Sequence, residues 1–238
     1  METTLQDRGP SALNRRVVLA GMAGLAATRP ARAASASPIA HGALADNALA
    51  QAFEDAPSRL PGVALVGLDG AHSTGDFKGL TILMPLWAEW CQPCLGELPD
   101  FSKLQRKYGN DRFQIRPILT GTKKQITPQV IGKLFGILHA DGLAPLVEDG
   151  LTDHLLKALA VRGAEFMLPC NVLIAPSGRV VAREFGLKNG QPDEHTPVDP
   201  NAPTLAARAE AGESLSLWGK AEGEQFAAAM AGGFLDNS

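Results

Sequence analysis

Apolar positions along the chain fall into short runs and one long helical stripe. Val63-Ala64-Leu65-Val66 is an apolar run closed by the turn dipeptide Asp69-Gly70, which predicts a strand. Leu80-Thr81-Ile82-Leu83-Met84, entered through Gly79, predicts a buried strand. Leu95, Leu98, Phe101, Leu104 and Tyr108 then recur at spacings of three and four, predicting a helix from about Cys91 to Tyr108 that stops at Gly109. Pro99 falls inside it and is expected to kink it. Phe113 to Leu119 predicts a further strand. Two helical pieces follow, near 128–140 and 152–161, broken by Gly142 and Pro145. Asn171 to Ala175 and Arg179 to Phe185 read as a hairpin around Pro176-Ser177-Gly178. The last helix is expected from Trp218 to Met230.

Strand–helix–strand units, a hairpin and a closing helix predict an α/β layered domain with a mixed sheet flanked by helices. The domain pattern starts near Pro61, and its expected span is 59–238. Residues 34–58, with a short helix over Leu44 to Phe53, read as a leader into it. Lys188 to Thr204 carries four prolines and several acids. It is too long for a plain connection and marks an insertion, 188–212, before the C-terminal helix.

The first 33 residues stand apart from this pattern. Arg15-Arg16 leads into a weakly apolar run, Val17 to Ala27, and Ala31-Arg32-Ala33 suits a signal peptidase cutting before Ala34. This predicts a signal peptide over 1–33 of the twin-arginine type and a periplasmic protein; an ordinary secretory signal and an uncleaved anchor are the alternatives. The formal charge of the chain is −3. Removing residues 1–33 takes away five basic and two acidic residues, leaving a more acidic remainder. Nucleic acid is therefore not an expected partner.

Candidate chemistry centres on Trp90-Cys91-Gln92-Pro93-Cys94. The chain has three cysteines, and two of them stand here. A structural zinc site needs four ligands, and the histidines at 41, 72, 139, 154 and 195 are scattered, so no metal is expected. A structural disulfide across so short a loop restrains little of the unfolded chain. Redox use fits better, because the pair follows a buried strand and opens a helix. Unpaired amides and the macrodipole at a helix start stabilise a thiolate on Cys91, the attacking group. Cys94, one turn on, is the resolving thiol, so the two alternate between dithiol and disulfide with no cofactor. Pro93 restrains the turn, and Trp90 shields one side.

The segment Trp87 to Pro99 resembles the active-site segment of the TlpA/ResA-type thioredoxin-like proteins, exported bacterial thiol–disulfide oxidoreductases. The resemblance runs from about Pro61 to Leu187. It implies a thioredoxin-like fold and a protein-disulfide reductase whose nucleophile is Cys91 and whose resolving residue is Cys94. It assigns the acid three residues beyond the second cysteine to Glu97 and the kink proline to Pro99. It also makes Pro169 the cis-proline facing the pair, with the Leu168 backbone pairing to bound substrate. Trp90, Gln92 and Pro93 complete the substrate-binding set. Disulfide-bearing clients follow as partners, for example in cytochrome c or copper-site maturation, with a membrane thiol-electron transporter as donor.

Two residues carry open alternatives. Glu97 is either a partly buried carboxylate that takes a proton from Cys94 or a solvated helix glutamate. Cys170 is either a small apolar filler of the core or a third thiol beside Cys91 and Cys94. The latter underlies the competing function, a copper- or client-binding module that works without turnover. One departure stands out: thioredoxin carries a buried aspartate two residues before the first tryptophan of its motif, where this chain has Pro85. That shifts weight to Glu97 as proton acceptor and predicts a local irregularity in the strand.

Overall fold

The computed structural model describes residues 37–122, 126–149, 153–162, 164–186, 207, 211, 214 and 216–236. The expected signal peptide, and all of the 188–212 insertion but positions 207 and 211, lie outside the described residues.

Strand β4 (Thr81–Trp87) is the axis of the molecule, and every one of its residues is buried. Its even positions, Ile82, Met84 and Leu86, join one apolar cluster, while Leu83 and Trp87 join the other. A strand apolar on both faces is what a sheet covered on both sides requires. Around it, β1 (Glu54–Arg59), β2 (Ala64–Gly67), β3 (Gly70–Ser73), β5 (Phe113–Ile115), β6 (Ile118–Leu119), β7 (Leu146–Glu148), β10 (Cys170–Ile174) and β11 (Arg179–Glu184) complete a mixed sheet. The order is β1-β11-β10-β4-β6-β7-β2-β3, with β5 also pairing β4. Pairings of β4 with β5 and β6, and of β6 with β7, are parallel; the others are antiparallel. A separate short hairpin joins β8 (Val161–Arg162) to β9 (Glu165–Phe166).

Helices α1 (Ala48–Ala52), α2 (Gln92–Tyr108), α3 (Pro128–Ile137), α4 (His154–Leu159) and α5 (Ala221–Ala231) flank the sheet. Helices α1, α2, α3 and α5 contribute to one cluster, and α4 to the other. The fold is α/β and thioredoxin-like, with a mixed central sheet between helical layers.

The leader reading of residues 34–58 does not hold. Ile39, Leu44, Leu49, Ala50 and Phe53 are fully buried, and Glu54–Arg59 is the edge strand β1, paired with β11. Phe53 stacks on Phe226 at 5.4 Å and meets Trp218 edge-on at 6.2 Å. Asn47 caps α1 and donates from Nδ2 to the Glu222 carbonyl at 2.9 Å. The alanine-rich composition hid these anchors, because the large apolar side chains are sparse rather than periodic.

The irregularity expected at Pro85 lies in the neighbouring strand instead. Pairing of β4 with β10 runs unshifted from Ile82 to Leu86. On the opposite side, Arg116 N donates to Leu83 O and Thr120 N to Trp87 O, both at 2.9 Å. Alternation turns residues 83, 85 and 87 the same way, so the missing proline N–H falls between these bonds. There the single strand expected over Phe113 to Leu119 is split into β5 and β6. Strand β7 and the β8–β9 hairpin were not foreseen. They are two or three residues long, and tertiary pairing rather than local pattern fixes them.

Candidate active site

Helix α2 begins directly after β4 and the connecting Ala88-Glu89-Trp90. Cys91 is its N-cap residue, with Gln92 and Pro93 in the first turn. Cys91 N donates to the Ala88 carbonyl at 3.0 Å, and the Cys91 carbonyl accepts from Leu95 N at 3.1 Å. The Cys94 amide points at Cys91 Sγ, 3.3 Å away. The two sulfurs are bonded as a disulfide. The helix N-terminus thus presents an amide to the first sulfur, the arrangement that stabilises a thiolate once the bond is reduced. The pair is nearly enclosed, with Cys91 4% and Cys94 2% exposed.

Trp90 covers this start from outside. It is 59% exposed, yet its Nε1 donates to the Gly121 carbonyl at 3.0 Å. Gly121 N in turn donates to Asp153 Oδ1 at 2.8 Å. Gly121 has φ +64, and a β-carbon there would lie 3.7 Å from both Leu168 Cδ1 and Trp90 Cζ2. The buried Glu148 carboxylate accepts from His154 N at 2.7 Å and Leu155 N at 2.8 Å, fixing the start of α4 next to Asp153. Gly121, Glu148 and Asp153 were not singled out from sequence. They lie at the end of β7, at the start of α4 and in the loop after β6, and no local pattern reports their juxtaposition.

The Leu168–Pro169 peptide is cis. Strand β10 follows it, with Cys170 opposite Leu86 on β4. One residue further along this register, Pro169 stands opposite Trp87, at the end of β4 that leads to the cysteines. Leu168 packs against both apolar clusters, including the one that contains Cys91 and Cys94.

Glu97 is a buried residue, 5% exposed, not a solvated one. It sits on α2 one turn beyond Cys94 and accepts from Asn171 Nδ2 at 3.4 Å. The same nitrogen lies 2.8 Å from Glu184 Oε2. Burial raises both carboxyl groups; Glu184 reaches about 7, and the nearby Glu184 charge pushes Glu97 up further. Glu184 was overlooked in the sequence, although the alternation Val180, Ala182, Glu184 puts an acid at an inward position.

Cys170 does not join the pair. Its residue is fully buried in the cluster with Leu86, Ile118, Leu155 and Leu159, while Cys91 and Cys94 belong to the cluster on the opposite sheet face. Its Sγ lies 3.7 Å from the Leu159 carbonyl, and burial pushes the thiol up to about 12. The filler reading describes this residue. The three-thiol site does not assemble, because strand alternation sends Cys170 the other way.

No family model matches the chain. Among curated proteins, thioredoxin-like protein YneN of Bacillus subtilis is 35% identical over 65 residues, covering 27% of this chain and 38% of that protein. Thiol-disulfide oxidoreductase ResA of Geobacillus thermodenitrificans is 28% identical over 124 residues, covering 52% of this chain and 65% of that protein. The matches thus span less than two thirds of these relatives. Among solved structures, a thiol:disulfide interchange protein DsbE from Chlorobium tepidum aligns at 23% identity and TM-score 0.45, over 56% of this chain and 86% of that one. In sequence the chain is thus similar to thioredoxin-like proteins of the ResA type, and it carries a disulfide seated at the start of a helix.

Proposed function

We propose that this protein is an exported thiol–disulfide oxidoreductase that reduces disulfides in periplasmic client proteins. The observation that carries this reading is the Cys91–Cys94 disulfide at the N-terminus of α2, with the Cys94 amide directed at Cys91 Sγ. The name of the ResA relatives, thiol-disulfide oxidoreductase, supports it.

In the reduced protein, the Cys91 thiolate attacks one sulfur of a client disulfide. The client bond breaks, and its electron pair leaves on the second client sulfur, which takes up a proton. Cys94 then attacks Cys91 Sγ, forming the intramolecular disulfide and releasing the client as a dithiol. Trp90, Gln92, Pro93, Leu168 and Pro169 form the client-contacting surface in this reading, with the Leu168 backbone pairing to the client chain. Because the compartment is oxidising, electrons must be resupplied, and a membrane thiol transporter is the fitting donor. Cytochrome c or copper-site cysteines are the proposed clients. Residues 1–33 act as the export signal. No described helix is long and apolar enough to cross a membrane.

Trapping tests the proposal. A Cys94→Ala variant expressed in its native cell should accumulate clients covalently attached through Cys91 and released by reductant. Absence of any adduct, with wild-type protein inert toward disulfides, would contradict it.

A further inference from the structure

Asn171 on β10 and Glu184 on β11 face each other across the antiparallel ladder, 0% and 1% exposed. Glu97 reaches the same point from α2. An asparagine amide has two N–H groups, and here they have two carboxylates to serve. Asn171 Oδ1 and Glu184 Oε1 are buried with no hydrogen-bond partner.

Among the described residues, no cation forms an ion pair with either acid. Arg183 on β11 is committed to Glu54 Oε1 at 3.0 Å and the Leu159 carbonyl at 2.8 Å, and Arg162 on β8 reaches Glu54 Oε2 at 3.6 Å. The remaining titratable groups nearby are Asp100 on α2, Glu54 on β1 and Cys170 on β10, none of which brings a positive charge. Two carboxylates so placed cannot both stay ionised at low cost, so the cluster retains a proton. Glu184 is also among the residues that line a cavity of about 260 Å³, with Met167, Phe185, Gly186, Glu54 and Arg162.

We propose that Glu97 and Glu184, joined through Asn171, form a shared proton store for the Cys91–Cys94 pair, in which Glu184 is a positioning residue acting through Glu97. This rests on the reading of the pair as an exchanging dithiol. When Cys94 resolves a mixed disulfide, its thiol proton passes to the ionised member of the carboxyl pair. The sulfur electron pair forms the Cys94–Cys91 bond. The Cys91–client bond breaks, and its electrons leave on the client sulfur, which takes a proton from water. When an incoming dithiol reduces the disulfide again, the stored proton returns to Cys94. Glu97 is suited to the exchange because residues three apart on a helix share a face.

Redox-difference infrared spectroscopy on the full-length protein tests this, comparing the disulfide form with the form reduced by dithiothreitol at neutral pH. The expected result is a protonated-carboxyl signal that falls on reduction, is lost in Glu97→Gln and is altered in Glu184→Gln. In parallel, Glu184→Gln should slow oxidation of the reduced protein by oxidised glutathione about tenfold near neutrality and shift its pH profile, with Cys91 alkylation unchanged. A wild-type carboxyl spectrum identical in the two redox states overturns the store. So does a Glu184→Gln variant with the wild-type pH profile, or one in which both cysteines lose reactivity equally. Dithiothreitol reduces the bond chemically, so absent client turnover with an intact carboxyl signal would count against the oxidoreductase reading alone.

Discussion

Gly186 packs against Pro169 so closely that a β-carbon on it would lie 2.6 Å from Pro169 Cγ. Gly186 also has φ +29, a conformation other residues rarely adopt. Residue and proline therefore fix each other at the open end of the β10–β11 hairpin. Gly186→Ala should destabilise the protein by roughly 1–3 kcal/mol through overpacking and lower client reduction more than small-thiol exchange. Chemical denaturation and paired activity assays check both, and a variant with wild-type stability and turnover would contradict the contact.

Residues 37–59 belong to the core, and Phe53 is their main anchor. Truncating it should remove its contacts with Trp218 and Phe226 and cost about 3–5 kcal/mol. Denaturant unfolding of Phe53→Ala measures this. A loss below about 1 kcal/mol would mean that the segment is an appendage after all.

Cys170 should resist alkylation in the folded, reduced protein. Its burial and high pKa leave almost no thiolate at neutral pH. Mass spectrometry after iodoacetamide treatment should find two labelled thiols in the native protein and three in denaturant. Three in the native state would contradict its placement.

The buried acids set a pH dependence. Their folded pKa values lie above the ordinary 4.5, so the native state holds more protons than the unfolded chain between 4.5 and the folded value. Their contribution is most favourable below 4.5 and is lost as pH rises, through about 7 for Glu184. The stability difference between wild type and Glu184→Gln should therefore move against wild type across this window, by on the order of 3 kcal/mol. A constant difference from pH 4 to 8 would contradict it.

Much of this site was legible in the chain. Strand β4, the stripe of α2 and the hairpin from Asn171 to Phe185 follow from periodicity, and the cysteine spacing placed Cys91 at a helix start. Elements that depend on distant partners were not legible. Strand β7 exists because β6 and β2 pair with it, and Glu184 matters because Asn171 and Glu97 meet it in space. The role of residues 37–59 was hidden for the same reason: Phe53 is one isolated aromatic in sequence and a core residue in the fold.

In the proposed reaction Cys91, made reactive by the first turn of α2, attacks the client sulfur while Cys94 resolves. Reaction of reduced Cys94→Ala and Cys91→Ala with an aromatic disulfide that releases a coloured thiolate measures this directly. Cys94→Ala should react rapidly and form a stable adduct, with Cys91→Ala slower by about a hundredfold. Equal rates, or faster reaction of Cys91→Ala, would contradict it.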